Sequence, residues 1–150
     1  MLKVLIADDE EKICQLIIKL INWEEMGLKI AATASNGIEA LEQAKICKPE
    51  ILITDIRMPG IDGMELIRKV KEKLPDTEII IISGYRHFEY AQTAIRYGVR
   101  NYLLKPIKKE ELRDTLQKIA DIYREKNEQL NFEERVRLAL KNDAGKLRTS

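Results

Sequence analysis

Soft metal ligands are nearly missing from this 150-residue chain, which has two cysteines, Cys14 and Cys47, with no C-x-x-C spacing, and one histidine, His87. No zinc or iron ligand set can be assembled from them. Both thiols are expected to pack as small hydrophobes in a reducing compartment. An excess of one charge is missing too: 26 Lys and Arg against 25 Asp and Glu leave a net charge of +1. That balance gives no nucleic-acid footprint. No apolar stretch approaches the ~20 residues of a membrane helix, and Met1-Leu2-Lys3-Val4-Leu5-Ile6-Ala7-Asp8 turns acidic too early for a signal peptide. A cytoplasmic location with no membrane contact is expected. Neither G-x-x-x-x-G-K-[ST] nor G-x-G-x-x-G follows a strand-like run, which argues against nucleotide binding. Internal repeats and low-complexity segments are absent as well.

What the chain does have is alternation. Leu2 to Ala7, Lys29 to Thr33, Ile51 to Thr54, Ile79 to Ile82 and Asn101 to Leu104 are short runs of mostly aliphatic residues. Their near-continuous apolarity suits strands covered on both faces. Between them lie helical stripes: Ile13, Leu16, Ile17, Leu20 and Ile21; Leu66, Ile67, Val70 and Leu74; Phe88, Ala91 and Ile95; Leu112, Leu116, Ile119 and Tyr123. Asn36 with Glu39 and Asp62 with Glu65 have capping-box spacing, and Gly27, Pro49, Pro75 and Gly98 mark stops. Five β-α repeats imply right-handed crossovers and a parallel sheet with helices on both faces. The length suits one domain with a sizeable core and no second full domain. Past Tyr123 the pattern weakens into the charged run Arg124 to Gln129. Asn131 with Glu134 can cap a further short helix bearing Phe132, Val136 and Leu140, and Gly145 to Ser150 reads as a frayed end.

The chemistry collects just after the strands. Asp8, Asp9, Asp55, Ser83 and Lys105 each follow a strand-like run, so one sheet edge receives carboxylates, a hydroxyl and an ammonium. Ligands of open parallel sheets bind at that edge. Two or three carboxylates so close cannot all stay ionised without a cation. An oxygen-only, partly open ligand set fits Mg²⁺ better than Ca²⁺ or zinc. Lys105 precedes Pro106, where a cis bond costs little and can turn the lysine over the cleft as a point charge for a phosphoryl oxygen. Ser83, next to Gly84, adds a donor with an open approach. Together these supply a carboxylate nucleophile, a metal and two donors, which is what phosphoryl transfer to a carboxylate requires. Singly, each residue has a plainer reading: an acid after a strand is an N-cap, a serine a turn residue, a lysine a solvated charge. The coincidence at equivalent strand ends argues for a site.

At these residues the chain resembles the response-regulator receiver domains of two-component signalling. The matching pieces are Ile6-Ala7-Asp8-Asp9-Glu10, Asp55-Ile56-Arg57-Met58-Pro59-Gly60-Ile61-Asp62-Gly63, Ile82-Ser83-Gly84-Tyr85 and Tyr102-Leu103-Leu104-Lys105-Pro106. The resemblance covers residues 1–123 and implies a doubly wound, flavodoxin-like (βα)5 α/β fold with strand order 2-1-3-4-5. It also implies Asp55 as phosphoacceptor and Asp9 as a direct Mg²⁺ ligand. Asp8 becomes a metal or water-bridged partner, and the Arg57 carbonyl a backbone ligand. Ser83 and Lys105 bind phosphoryl oxygens, and Tyr102, three positions before the lysine, turns inward behind Ser83 as a switch.

The longer segment Asn22 to Leu28 and the run Ser83 to Ala91 resemble receivers fused to an arabinose-regulator-type DNA-binding domain. Trp23 reads as a packing anchor and His87 as a residue capping or lining a helix start. Residues 124–150 then form a helical linker or tail towards an output domain outside this chain. The implied partners are a sensor histidine kinase and a second copy on phosphorylation, with DNA reached only through the missing domain.

Two other readings compete. Aspartate-nucleophile phosphohydrolases carry a second aspartate two residues after the nucleophile as acid and base, and Arg57 stands there. Only self-catalysed transfer to Asp55 and slow loss of the phosphoryl group are therefore expected, rather than enzymatic turnover. A phosphorylation-independent interaction module that merely keeps the fold usually loses an acid or the lysine, and this chain lacks neither. A stand-alone receiver acting by protein-protein contact stays an alternative to a transcriptional output.

Overall fold

The computed structural model describes residues 1–84 and 88–149. The chain alternates strand and helix: β1 (Leu2–Ala7), α1 (Glu11–Leu20), a 3₁₀ turn (Glu24–Met26), β2 (Leu28–Ala34), α2 (Gly37–Cys47), β3 (Ile51–Thr54), α3 (Gly63–Lys73), β4 (Glu78–Ser83), α4 (Phe88–Arg96), β5 (Asn101–Leu104) and α5 (Lys109–Thr149). All strand pairs are parallel, in the order β2-β1-β3-β4-β5. This is the expected doubly wound sheet. Neighbouring strands finish in near-register, with Ala7 opposite Thr54 and Ser83 opposite Leu104. The residues that follow therefore emerge side by side.

Strand pleating divides the aliphatic residues between two cores. Val4, Ile6, Ile51, Ile53, Ile80 and Ile82 pack against Cys14 and Ile17 of α1 and Leu112, Leu116 and Ile119 of α5. Leu5, Leu52, Ile79 and Ile81 face Ala40 and Ala44 of α2, Leu66, Ile67 and Val70 of α3, and Ala94 of α4. Each fully buried aliphatic side chain contributes about 1.5–3 kcal/mol of transfer free energy. The three central strands, which supply most of them, form the rigid platform beneath the strand ends.

Both expected caps form. Asn36 Oδ1 accepts from the Glu39 amide at 2.8 Å and Asp62 Oδ1 from the Glu65 amide at 2.9 Å. Gly98 follows α4 at φ +83°, whereas Gly27, at φ +71°, closes the 3₁₀ turn because α1 has already ended at Leu20. Trp23 is buried and donates its indole N–H to the Ile18 carbonyl at 3.0 Å, anchoring that turn.

Two details differ from the sequence expectation. In α4, among the residues whose side chains are described, Ala94 is buried while Ile95 of the expected stripe is 70% exposed, so Ile95 is not on the buried face. A small side chain lets this nine-residue helix lie close to the sheet. Asn131 does not start a new helix either: α5 runs unbroken for 41 residues, its second half built from good helix formers, with Leu130, Phe132 and Leu140 exposed. His87 and Tyr85 lie outside the described residues. Among the described residues no helix is long and apolar enough to cross a membrane.

Candidate functional site

Each acid and base at the site is held by the strand it leaves. Asp8 follows β1, whose hydrogen bonding continues one residue further through the Asp8 amide to the Ala34 carbonyl at 3.0 Å. Its side chain is only 3% exposed, and Oδ1 accepts from the Glu10 amide at 2.9 Å. Asp55 follows β3 in the same way, its amide bonded to the Ala7 carbonyl at 3.1 Å and its Oδ1 to the Ile56 amide at 2.6 Å. The Lys105 amide donates to the Ser83 carbonyl at 2.8 Å, joining β4 and β5 at the same level, and the Lys105–Pro106 bond is cis.

From that position the lysine reaches across the sheet. Its Nζ lies 2.8 Å from Asp55 Oδ2, 3.3 Å from Asp8 Oδ2 and 4.0 Å from Glu10 Oε1. Burial alone would lower the lysine's pKa, but the hydrogen bond and charge of Asp55, with those of Asp8, outweigh it and hold the ammonium above its usual value. Asp8 goes the other way from an ordinary paired acid. Burial raises its pKa, and the Glu10 amide and Lys105 offset only part of that, while the charge of Asp55 adds to it. One ammonium thus serves two buried carboxylates and neutralises neither completely.

Above this pair opens a cleft of about 300 Å³ lined by Asp9, Glu10, Asp55, Arg57, Gly84 and Lys105. Asp8, Asp9 and Glu10 can bring one carboxylate oxygen each within 4.8 Å of one another. The lining holds neither thiol nor imidazole among the described residues. These donors fit a small hard cation, because oxygen ligands and surplus negative charge are what Mg²⁺ takes. Ser83, the last residue of β4, is fully buried, and Tyr102 lies on the neighbouring strand β5. Burial raises the Tyr102 phenol pKa, Ser83 partly offsetting it.

The residues picked from the sequence therefore gather at one end of the sheet. Asp9, Asp55, Arg57 and Lys105 line the cleft, Asp8 lies beneath it, and Ser83 and Tyr102 lie on the neighbouring strands β4 and β5. Glu10 is the addition. It was legible as the third member of an Asp-Asp-Glu run, although its approach to Lys105 required the fold.

The family model for the response regulator receiver domain matches residues 4–117. The chain belongs to the response regulator receiver family. This receiver is 40% identical over 139 residues to the uncharacterized transcriptional regulatory protein YesN of Bacillus subtilis, covering 89% of this chain and 38% of that protein. It is 40% identical over 107 residues to the transcriptional regulatory protein HptR of Staphylococcus aureus, covering 71% of this chain and 42% of HptR. The receiver thus spans less than half the length of these curated relatives. Among solved structures, the REC domain of AraT, a response regulator from Geobacillus stearothermophilus, matches with a TM-score of 0.80 and 41% identity over 84% of this chain and 98% of that one. A two-component transcriptional regulator AraC from Clostridium phytofermentans gives a TM-score of 0.75 and 36% identity over 81% of this chain and 94% of that one.

Proposed function

We propose that the receiver accepts a phosphoryl group on Asp55 and passes the change to an output. The observation that carries this reading is the Lys105 ammonium shared by two buried carboxylates beside a cleft lined by Asp9, Glu10 and Asp55. An oxygen of Asp55 attacks phosphorus, the bond from phosphorus to the donor's leaving group breaks, and that group departs with the electron pair. Asp9, Asp55, Asp8 and the Arg57 carbonyl are the residues that would hold Mg²⁺, and Glu10 lines the same cleft. Bound there, Mg²⁺ supplies charge neutralisation for the incoming phosphoryl oxygens. Lys105 moves from carboxylate pairing to a phosphoryl oxygen. Ser83 turns its hydroxyl to a phosphoryl oxygen, and Tyr102 follows it inward, repacking the face formed by α4, β5 and α5.

The donor is a sensor histidine kinase in the cytoplasm. The output is transcription regulation through a C-terminal DNA-binding domain of the arabinose-regulator type, reached through residues 124–150 and accompanied by homodimerisation on phosphorylation. The relatives' names and the receiver's coverage of less than half of their length support that reading. Because Arg57 stands where a phosphohydrolase places its second acid, the phosphoryl group is lost slowly and the receiver does not turn over as an enzyme. Intact-mass measurement after incubation with acetyl phosphate and Mg²⁺ tests this. One added phosphoryl group is expected, absent with chelator or in Asp55→Asn. Rapid multiple turnover of a simple phosphomonoester would instead identify a hydrolase.

A further inference from the structure

The loop from Ile56 to Asp62 carries the Arg57 carbonyl, and its far side rests directly on the start of α2. The Gly37 amide donates to the Pro59 carbonyl at 3.3 Å. A methyl built on Gly37 would collide with the Ile61 carbonyl oxygen and would lie 2.7 Å from the Ile61 carbonyl carbon and 2.9 Å from its Cβ. These are mostly backbone atoms, which cannot swing aside. Next in sequence, Ile38 lies over Gly60, which sits at φ +81°. The other end of the loop is equally tight. The Gly63 amide donates to the Ile56 carbonyl at 2.6 Å, and a methyl on Gly63 would collide with the Asp55 carbonyl oxygen.

We propose that Gly37 is a positioning residue for the metal-binding side of the phosphoacceptor site, acting through its backbone contact with Pro59 and Ile61. This inference rests on the phosphoacceptor reading. α2 itself has little room to retreat, since Asn36 caps it and Ala40 and Ala44 are buried in the core. A methyl at Gly37 therefore displaces the loop. The Ile61 carbonyl carbon must withdraw by at least about 0.8 Å to reach ordinary carbon contact near ~3.5 Å, and the colliding carbonyl oxygen by more. Metal sites tolerate shifts of only about 0.2 Å in ligand distance, and Mg²⁺ insists on near-ideal octahedral geometry. The displaced residues begin two positions after Arg57.

The test is Gly37→Ala, with Mg²⁺ binding measured by titration calorimetry and folding followed by circular dichroism and urea unfolding. Mg²⁺ affinity is expected to fall about tenfold or more, the usual effect of disturbing groups that support ligands. A folded variant that loses stability but binds Mg²⁺ within about twofold of the wild type would overturn the proposal, because a purely structural glycine behaves that way. Should the variant fail to fold, the wild-type amide spectrum decides. On Mg²⁺ addition the Gly37 resonance should shift well beyond those of Gly27 and Gly98, and equal shifts would refute the coupling. A wild type that takes neither Mg²⁺ nor a phosphoryl group refutes the phosphoacceptor reading itself, and the role of Gly37 falls with it.

Discussion

Replacing Lys105 with methionine removes a cation that reaches both Asp8 and Asp55, while keeping most of the aliphatic stem. At 2.8 and 3.3 Å and an effective dielectric near 20, the two attractions are about 6 and about 5 kcal/mol gross. Desolvation cancels much of this. Removing one partner of a buried pair costs ~3–5 kcal/mol, and the lysine, 19% exposed, keeps some water, so a loss of about 3 kcal/mol is expected without metal. Urea unfolding in chelator measures it. The pH dependence is the sharper check. Lys105's pKa is raised above 10.5 in the fold, so its contribution is fully present below 10.5 and disappears as pH rises through the folded value. At the acid end the gap between wild type and variant should narrow as Asp8, whose pKa is raised above 3.8, becomes protonated and no longer needs a counter-ion. Saturating Mg²⁺ should stabilise the variant more than the wild type, since it replaces the missing charge. A loss below about 1 kcal/mol, or one that ignores both pH and Mg²⁺, would refute this electrostatic account.

Mg²⁺ at ten times its Kd should stabilise the wild type by about 1.4 kcal/mol and raise Tm by roughly 3–6 °C. The gain should shrink as pH falls towards the raised Asp8 pKa, where protons compete for the ligand; a gain that persists there, followed by differential scanning fluorimetry, would exclude Asp8. Tyr123→Phe removes the hydroxyl that lies against the carbonyls of Glu50 and Asp76, a loss of about 1 kcal/mol with phosphorylation unchanged. Burial, with the charges of Glu78, Glu50 and Asp76, pushes this phenol up to about 12, so the phenolate absorbance lost in the variant should be the part that develops near that pH. Truncation after Glu128 removes only exposed side chains among the described residues and should move Tm by no more than about 2 °C; a larger drop would tie the end of α5 to the receiver core.

Most of the fold was legible because the inner strands are covered on both faces. Val4, Leu5 and Ile6 face two different cores yet are all apolar, so an uninterrupted run marks the strand without revealing its pleat. Parallel strands then align their ends automatically, which is why Asp8, Asp55, Ser83 and Lys105 could be grouped before any distance was known. The misreadings arose where packing overrides hydrophobicity. Ile95 is the more apolar residue of α4, but Ala94 fits against the sheet. The charged run after Tyr123 looked like a break, yet Glu, Lys and Arg have high helix propensity and nothing between Arg124 and Asn142 forces a stop. Gly37 was visible only as the residue after a cap, since its approach to Ile61 is a tertiary contact that local spacing does not encode.

Peptide-level mass spectrometry of the receiver, after acetyl phosphate and Mg²⁺ treatment and borohydride trapping of any acyl phosphate, locates the modified carboxylate directly. The reduced residue is expected at Asp55 alone, with none in Asp55→Asn and little without Mg²⁺. Labelling at Asp8, Asp9 or another carboxylate with Asp55 intact, or no labelling in a receiver shown to be folded and to bind Mg²⁺, would contradict this expectation.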